Sequence, residues 1–405
     1  MSFDPLARLR DAAAEREAAG LRRRLAPRGA GSQGGVLDLA SNDYLGMNGD
    51  PRLAAAAAEA ARTWGTGATG SRLVTGTTEL HERLERDLAA FAGAPSALVF
   101  SSGYLANLAA VTALVAALGD VLVVSDELNH ASLIDGCRLA RGPGCGRAGG
   151  VRVQVTPHRD VGAVRAALAA RPERAALVVT DAVFSVAGDL APLAGLHAVA
   201  REQHALLLID EAHSFGVLGD GGRGAARLAG LAAEPDVVRT VTLSKSLAGQ
   251  GGAVLGAPEV TQTLVDTGRA FIFDTGLAPP AAAAALAALG VLRAEPGRGA
   301  RAREAAARLA RDAAALGLAA TVPDAAVAAV IMGDPADALG AQRVCAAHGV
   351  RAGCFRPPSV PPGQACLRLT GRATLTENDF AAASRALAAV RDHCRIAARA
   401  GGNAP

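Results

Sequence analysis

Short β-branched runs alternate with Ala- and Leu-rich segments of helical spacing along most of this chain. Runs at 97–100, 121–125, 151–155, 176–180, 206–210, 237–242 and 253–255 predict strands. Segments at 80–92, 106–118, 161–170 and 193–204 carry helical periodicity. This alternation predicts an α/β fold, with a mainly parallel central sheet covered by helices. After Pro279-Pro280 the pattern changes. Residues 281–317 read as helix, broken by a turn at Glu295-Pro296-Gly297. Strands at 327–332 and 365–370 and a closing helix at 377–399 follow. At the other end, 4–25 reads as an amphipathic helix with Leu6, Leu9 and Ala13 on one face, running into Arg22-Arg23-Arg24. The expected organisation is an N-terminal helix and connection (1–36), a large α/β domain (37–290) and a smaller α+β domain (291–405). The Gly-rich stretch 142–150 reads as a surface loop and the tail 401–405 as disordered.

Composition narrows the classes. Half of the 405 residues are apolar, ample for a large core. The net charge is +3, with no basic stripe interleaved with aromatics, so no nucleic-acid partner is expected. Six cysteines are scattered without C-x-x-C pairs or zinc-finger spacing, which argues against a metal site and suits reduced thiols in the cytoplasm. The longest apolar stretch, 281–292, is mostly alanine and too short to span a bilayer, and no signal-peptide core opens the chain. No membrane partner is expected.

Lysine changes the picture more. Of 41 basic Lys and Arg residues, only Lys245 is lysine. Arginine stays protonated and is a poor nucleophile. A lysine amine in a desolvated pocket can lose its proton and attack a carbonyl to form a Schiff base. An Arg-rich composition could leave one lysine by chance. Lys245, however, sits in Val241-Thr242-Leu243-Ser244-Lys245-Ser246, ahead of Gly249, Gly251 and Gly252, which reads as a strand ending in a tight loop. Ligands of α/β proteins bind at strand ends.

Other strings gain meaning beside that lysine. Leu206 to Ile209 deliver Asp210 to the end of a buried strand, and His213 follows three residues later. Taken alone, Asp210 reads as a turn cap and His213 as packing. Beside a Schiff-base lysine, the pattern suits pyridoxal 5'-phosphate: a buried carboxylate keeps the ring nitrogen protonated. His213 and Ser185 would then face the ring's phenolic oxygen. Phe100-Ser101-Ser102-Gly103-Tyr104 reads as strand, glycine and helix start, which is an anion cradle or an ordinary capped turn. His130 follows a strand in a loop and could stack on a cofactor ring or sit on the surface. Arg368 is a charge in an apolar strand, to be paired with a substrate carboxylate or an internal acid. The glycines of Gly65 to Arg72 lack the strand–helix context of a dinucleotide site and permit close backbone approach.

Together, Ser41-Asn42-Asp43-Tyr44-Leu45-Gly46, Asn129-His130-Ala131-Ser132, Asp210-Glu211-Ala212-His213 and Thr242-Leu243-Ser244-Lys245 resemble the α-oxoamine synthases, a family of fold-type I pyridoxal-phosphate enzymes. The resemblance spans roughly 36–395. Phe271 to Pro279 and Arg356-Pro357-Pro358-Ser359-Val360-Pro361 resemble the branch that uses L-alanine and a pimeloyl thioester, not the glycine-using branch. The resemblance implies the following roles. Lys245 would hold the cofactor covalently, Asp210 would meet its ring nitrogen, His130 would stack on it, and His213 and Ser185 would contact its phenolic oxygen. Gly103, Tyr104 and Thr242 would hold the phosphate, with Thr275 reaching across a homodimer. Asn42 and Arg368 would bind the amino-acid carboxylate, and Arg22 and Ser359 the acyl substrate. The chain departs from the family at Ala187, where Asp is usual, at Asp274, where Ser or Thr is common, and in the longer 142–150 loop. The activity implied is decarboxylative condensation of L-alanine with pimeloyl-CoA or a pimeloyl carrier protein. Rivals are a sister enzyme with another amino acid or acyl chain, and a non-catalytic subunit, against which Lys245 argues.

Overall fold

The computed structural model describes residues 4–23, 25–27, 29, 35–142 and 150–401, the side chains of 396–401 excepted. Its strands are β1 (Leu37–Leu39), β2 (Ser96–Phe100), β3 (Val121–Asp126), β4 (Val151–Thr156), β5 (Ala175–Asp181), β6 (Leu206–Asp210), β7 (Val237–Thr242), β8 (Gly252–Gly256), β9 (Val327–Gly333), β10 (Val350–Phe355) and β11 (Ala365–Thr370). Seven of them form one sheet in the order β2-β8-β7-β6-β5-β3-β4. The ladders joining β4, β3, β5, β6 and β7 are parallel, and β8 runs antiparallel to both its neighbours. The inner strands are largely apolar because both faces are covered, whereas the edge strand β4, with Arg152 and Gln154, is only partly buried. Leu207 and Ile209 of β6 enter one core with the helices Glu79–Ala92, Leu193–Glu202 and Pro279–Ala294. Leu208 enters the opposite core with Gly103–Leu118, Ala131–Ala140 and Pro258–Thr267.

A second sheet has the order β1-β10-β11-β9, with β1 parallel to β10 and the other ladders antiparallel. Leu37, Leu309, Val330, Leu367 and Phe380 share its core. Residues 37–39 therefore pair with the smaller unit, although the sequence groups them with the large one. A boundary at 290 would also cut the helix Pro279–Ala294, whose Leu289, Val291 and Leu292 are buried in the large core.

The N-terminal helix runs Pro5–Ala18, shorter than the predicted 4–25; Asp4 caps its start, and Gly20 turns the chain at φ +65°. Its predicted apolar face is not buried: Leu6 and Leu9 remain 62% and 63% exposed. Arg24, most of the 142–150 loop and residues 402–405 of the tail lie outside the described residues. No helix among the described residues is long and apolar enough to cross a membrane. The five described cysteines carry free thiols. The carboxyl ends of β3, β5, β6 and β7 bring Asp126, Asp181, Asp210 and Thr242 to one edge of the large sheet.

Candidate active site

That edge opens on a cavity of about 270 Å³, lined by Gly103, Tyr104, His130, Asp181, Asp210, His213, Thr242 and Lys245 among others. Seven of its lining residues were expected from the sequence. Asp181 was not.

Lys245 follows β7 in a loop closed by backbone bonds from Ala248 to Lys245 and from Leu243 to Gly251. Its Nζ lies 2.8 Å from His213 Nε2. Burial pulls the amine down from its usual range to about 8, against the opposing pull of Asp210, with Arg368 lowering it further. Near neutral pH a usable fraction of the amine is thus free to act as nucleophile or base. His213 Nδ1 lies 2.5 Å from the Tyr44 hydroxyl. Burial, then the positive charge of Lys245, holds His213 well below the ordinary imidazole range, so the ring is neutral. The polar chain continues. Arg368 donates to Asn42 Oδ1 at 2.6 Å and to the Tyr44 hydroxyl at 3.1 Å. Tyr44 lies in the Ser41–Gly46 string but was given no role there; it links Asn42 and Arg368 to His213 and, through it, to Lys245.

Asp210 is buried, and both its oxygens are occupied. One accepts from Asn107 Nδ2 at 2.7 Å and the other from the Ala212 amide at 2.8 Å. The cap reading of Asp210 is therefore real, and it coexists with a place on the cavity wall. Asp181 stands opposite Asp210 in the β5–β6 register. It is buried, and neither of its carboxyl oxygens has a partner. Burial, then the charge of Asp210, pushes Asp181 well above the usual carboxylate range, which favours its protonated form. Asn107 was also missed; it sits in a helix whose spacing reads as core.

Beneath the turn lies a second feature invisible to local reading. Glu211 and Arg239 form an ion pair with both side chains at most 1% exposed, joined at 2.7–2.8 Å. Arg239 also donates to Ala92 O and Arg223 O, and Glu211 accepts from the Ala226 amide. Glu211 points down into this network while its neighbours Asp210 and His213 face the cavity.

The anion cradle is built by close approach. Ser102 caps the helix Gly103–Leu118 by accepting from Leu105 N. A Cβ on Gly103 would lie 3.0 Å from Thr242 Cβ, and one on Gly252 would lie 2.5 Å from Gly103 Cα. Glycine at both positions lets the positive end of a four-turn helix reach the cavity. Thr242 Oγ1 and Ser244 Oγ stand 2.7 Å apart beside it. The Tyr104 hydroxyl is turned away from the cradle and donates to Asp135 at 2.8 Å. His130 lines the cavity and caps the helix Ala131–Ala140, its Nδ1 2.7 Å from Ser132 Oγ.

Other expected residues lie elsewhere. Ser185 is not among the residues lining this cavity. Within one chain Thr275 lines a separate small cleft with Ser101 and Asp274, and it bridges to Ser71. Arg22 is exposed and pairs with Glu17 at 2.8 Å, and Ser359 is exposed. Their two segments do meet, because Arg356 hydrogen-bonds Gly20 O.

These residues suit pyridoxal phosphate. An amine of lowered basicity, an unpartnered buried carboxyl beside a hydrogen-bonded carboxylate, and a glycine-lined helix start sit at separate places on one cavity. They match an aldehyde, a ring nitrogen and a phosphate.

Residues 34–387 match the family described as aminotransferase class I and II. The chain is 56% identical over 392 residues to an 8-amino-7-oxononanoate synthase of Mycobacterium sp. (strain KMS), covering 96% of this chain and 97% of that one. Serine palmitoyltransferase of Sphingomonas wittichii superposes with a TM-score of 0.88 at 28% identity, covering 97% of this chain and 100% of that one. A serine palmitoyltransferase from S. paucimobilis, solved with a bound PLP–myriocin aldimine, superposes with a TM-score of 0.87 at 28% identity over the same shares. On that family match and that identity along nearly the whole chain, the chain belongs to the aminotransferase class I and II family, in the α-oxoamine synthase branch alongside the 8-amino-7-oxononanoate synthases.

Proposed function

We propose that the protein is a pyridoxal-phosphate-dependent 8-amino-7-oxononanoate synthase of biotin biosynthesis, acting in the cytoplasm. It condenses L-alanine with pimeloyl-CoA or a pimeloyl carrier protein. A bond forms between the alanine α-carbon and the acyl carbon. The thiol leaves with a proton, the carboxylate leaves as CO2, and the product is 8-amino-7-oxononanoate. The observation that carries this reading is the chain's one lysine, 2.8 Å from a neutral His213 in a cavity walled by Asp210 and Asp181.

Bound pyridoxal phosphate supplies an electron sink for negative charge developing at the α-carbon of the amino acid. Lys245 would hold it covalently, Asp210 would meet its ring nitrogen, His130 would cover one face, and Ser102, Gly103 and Thr242 would take the phosphate. The protein groups do the rest. Arg368 and Asn42 grip the alanine carboxylate and so place the α-hydrogen towards Lys245. Lys245 Nζ, once free, removes that proton, and its lowered basicity leaves a usable unprotonated fraction for the task. His213 Nε2 holds the amine in position through its hydrogen bond. After CO2 departs, Lys245 Nζ returns a proton to the same carbon. Arg356 and the segment it fastens to Gly20 O form the approach of the acyl chain, with Arg22 and Ser359 beside it.

Leu73, Val74 and Phe273 are 52%, 79% and 71% exposed around the segment that holds Thr275. This supports a homodimer in which Thr275 serves the partner's phosphate; a fully active monomer in sedimentation would refute it. The test of function is the product mass from alanine and pimeloyl-CoA. The condensation product with CO2 release supports the reading. Turnover only with glycine or with a different thioester would replace it by a sister activity.

A further inference from the structure

His158 lies outside the cavity lining, just past β4. His158 Nδ1 lies 3.1 Å from Asp126 Oδ1, and Nε2 lies 2.7 Å from Asp189 Oδ2. The two carboxylates belong to different loops. Asp126 ends β3 and holds the turn that leads to His130: it accepts from Leu128 N at 2.8 Å, and Asn129 N bonds its carbonyl. Asp189 lies in the turn 184–190 after β5. That turn is the seat of the second sheet. Gly188 O accepts from Asp324 N, Ala187 O from Thr321 Oγ1, and Asp324 Oδ2 from Leu190 N. A Cβ on Gly188 would lie 2.0 Å from Val327 O, so only glycine admits this contact.

We infer that His158 is a positioning residue: as a cation it ties the His130 turn, one wall of the cofactor cavity, to the 184–190 turn on which the second sheet rests. The inference rests on the reading that the cavity holds pyridoxal phosphate.

Every charged group around His158 favours the bridge except one. Asp126 and Asp189 face its two nitrogens. Arg159 is the exception, but its guanidinium sits on Asp189 Oδ2 at 3.4 Å and its amide on Asp126 Oδ2 at 2.8 Å, so it shares the same acceptors. Glu127 Oε1 accepts from the His158 amide at 2.9 Å. The Phe184 ring packs edge-on at 4.3 Å between centroids. Burial works against the charged ring, but the hydrogen bonds to Asp126 and Asp189 outweigh it and lift His158 to about 9. Its folded value is raised, so the bridge's stabilisation is complete below the unfolded value of roughly 6.5 and is lost as pH rises through about 9. His130 does not touch His158. The effect reaches the cavity through the backbone of 126–130.

The test is the dissociation constant of pyridoxal phosphate from the cofactor-stripped protein, measured against pH for wild type, His158→Gln, Asp189→Asn and the double variant. Near neutral pH each single variant should bind about tenfold more weakly, the size of one charge-assisted hydrogen bond. The double variant should be no worse than either single one. The ratio of variant to wild type should fall towards one as wild-type His158 loses its proton above pH of about 9. A purely structural histidine would lower the melting temperature and leave that ratio flat. Wild-type affinity in both single variants, a ratio constant with pH, or additive losses in the double variant would overturn the inference. If His158→Gln does not fold, Asp189→Asn decides alone, since it leaves the His158–Asp126 contact in place. Failure of wild type itself to bind pyridoxal phosphate would instead overturn the cofactor reading.

Discussion

Replace Arg368 with methionine, which keeps much of its length and removes the charge. Arg368 is 4% exposed, and no Asp or Glu among the described residues lies within ion-pair distance. It donates to Asn42 and to Tyr44, its Nε has no partner, and its guanidinium lies 5.4 Å from the Phe355 ring. The internal-acid alternative raised by the sequence is therefore not what the fold contains. A guanidinium buried without a counter-charge weighs against stability, whereas the same group facing a substrate carboxylate gains a charge-assisted contact of roughly 1.5–3 kcal/mol. Since 1.4 kcal/mol is about tenfold, Arg368→Met should weaken alanine binding by about ten- to a hundred-fold. Thermal stability should barely fall, because lost bonds to Asn42 and Tyr44, at about 1 kcal/mol each, are offset by removal of an unpaired charge. Arg368→Lys should recover little, because an ammonium cannot form two parallel bonds to a carboxylate. The assay is a spectral titration of the holoenzyme with L-alanine, run beside thermal unfolding of the same sample. Unchanged alanine affinity with a melting temperature lower by ten degrees or more would refute the reasoning and make Arg368 a structural post.

Three further outcomes follow from the same geometry. The rate at which the cofactor-free protein captures pyridoxal phosphate should rise with pH with a midpoint at about 8, as Lys245 loses its proton; a midpoint near the ordinary lysine value of 10.5 would contradict the burial argument. Asp210→Asn should retain the cofactor yet lose turnover by about 10²–10⁴-fold, and near wild-type turnover would leave Asp210 a turn cap alone. Glu211→Gln should lower unfolding free energy by about 3–5 kcal/mol in denaturant titration, because Arg239 is left charged and unpaired in the core; a loss below about 1 kcal/mol would show that the pair relaxes.

The large sheet was legible because most of its strands are apolar or β-branched runs buried on both faces. β1 and β10 were not. Leu37–Leu39 is three residues long, too short for any periodicity, and β10 is interrupted by Gly353 and small side chains. The N-terminal helix was readable in type, but Leu6 and Leu9 have no core to enter, so spacing overstated its length and burial. In the site, Lys245, Asp210 and His213 stood out because each closes or follows a recognisable strand. Tyr44, Asn107 and Asp181 did not, since each owes its place to strand order: Tyr44 meets His213 across 169 positions of sequence, and Asp181 meets Asp210 only through the β5–β6 register. Ser185 lies in the turn 184–190 that contacts the second sheet, and it is not among the residues lining the cavity.

A chain with a single ε-amine beside its reactive cavity has no other side chain that amine-directed reagents can label. The remaining cations are guanidiniums, which keep their protons up to about pH 12 and ignore acylating and reductive-alkylating chemistry at ordinary pH. The arginine charges thus stay constant across the alkaline range in which a lysine-rich protein would discharge. Apart from the chain's N-terminus, uptake of an amine-directed label then counts open active sites, and protection from it measures how many are filled.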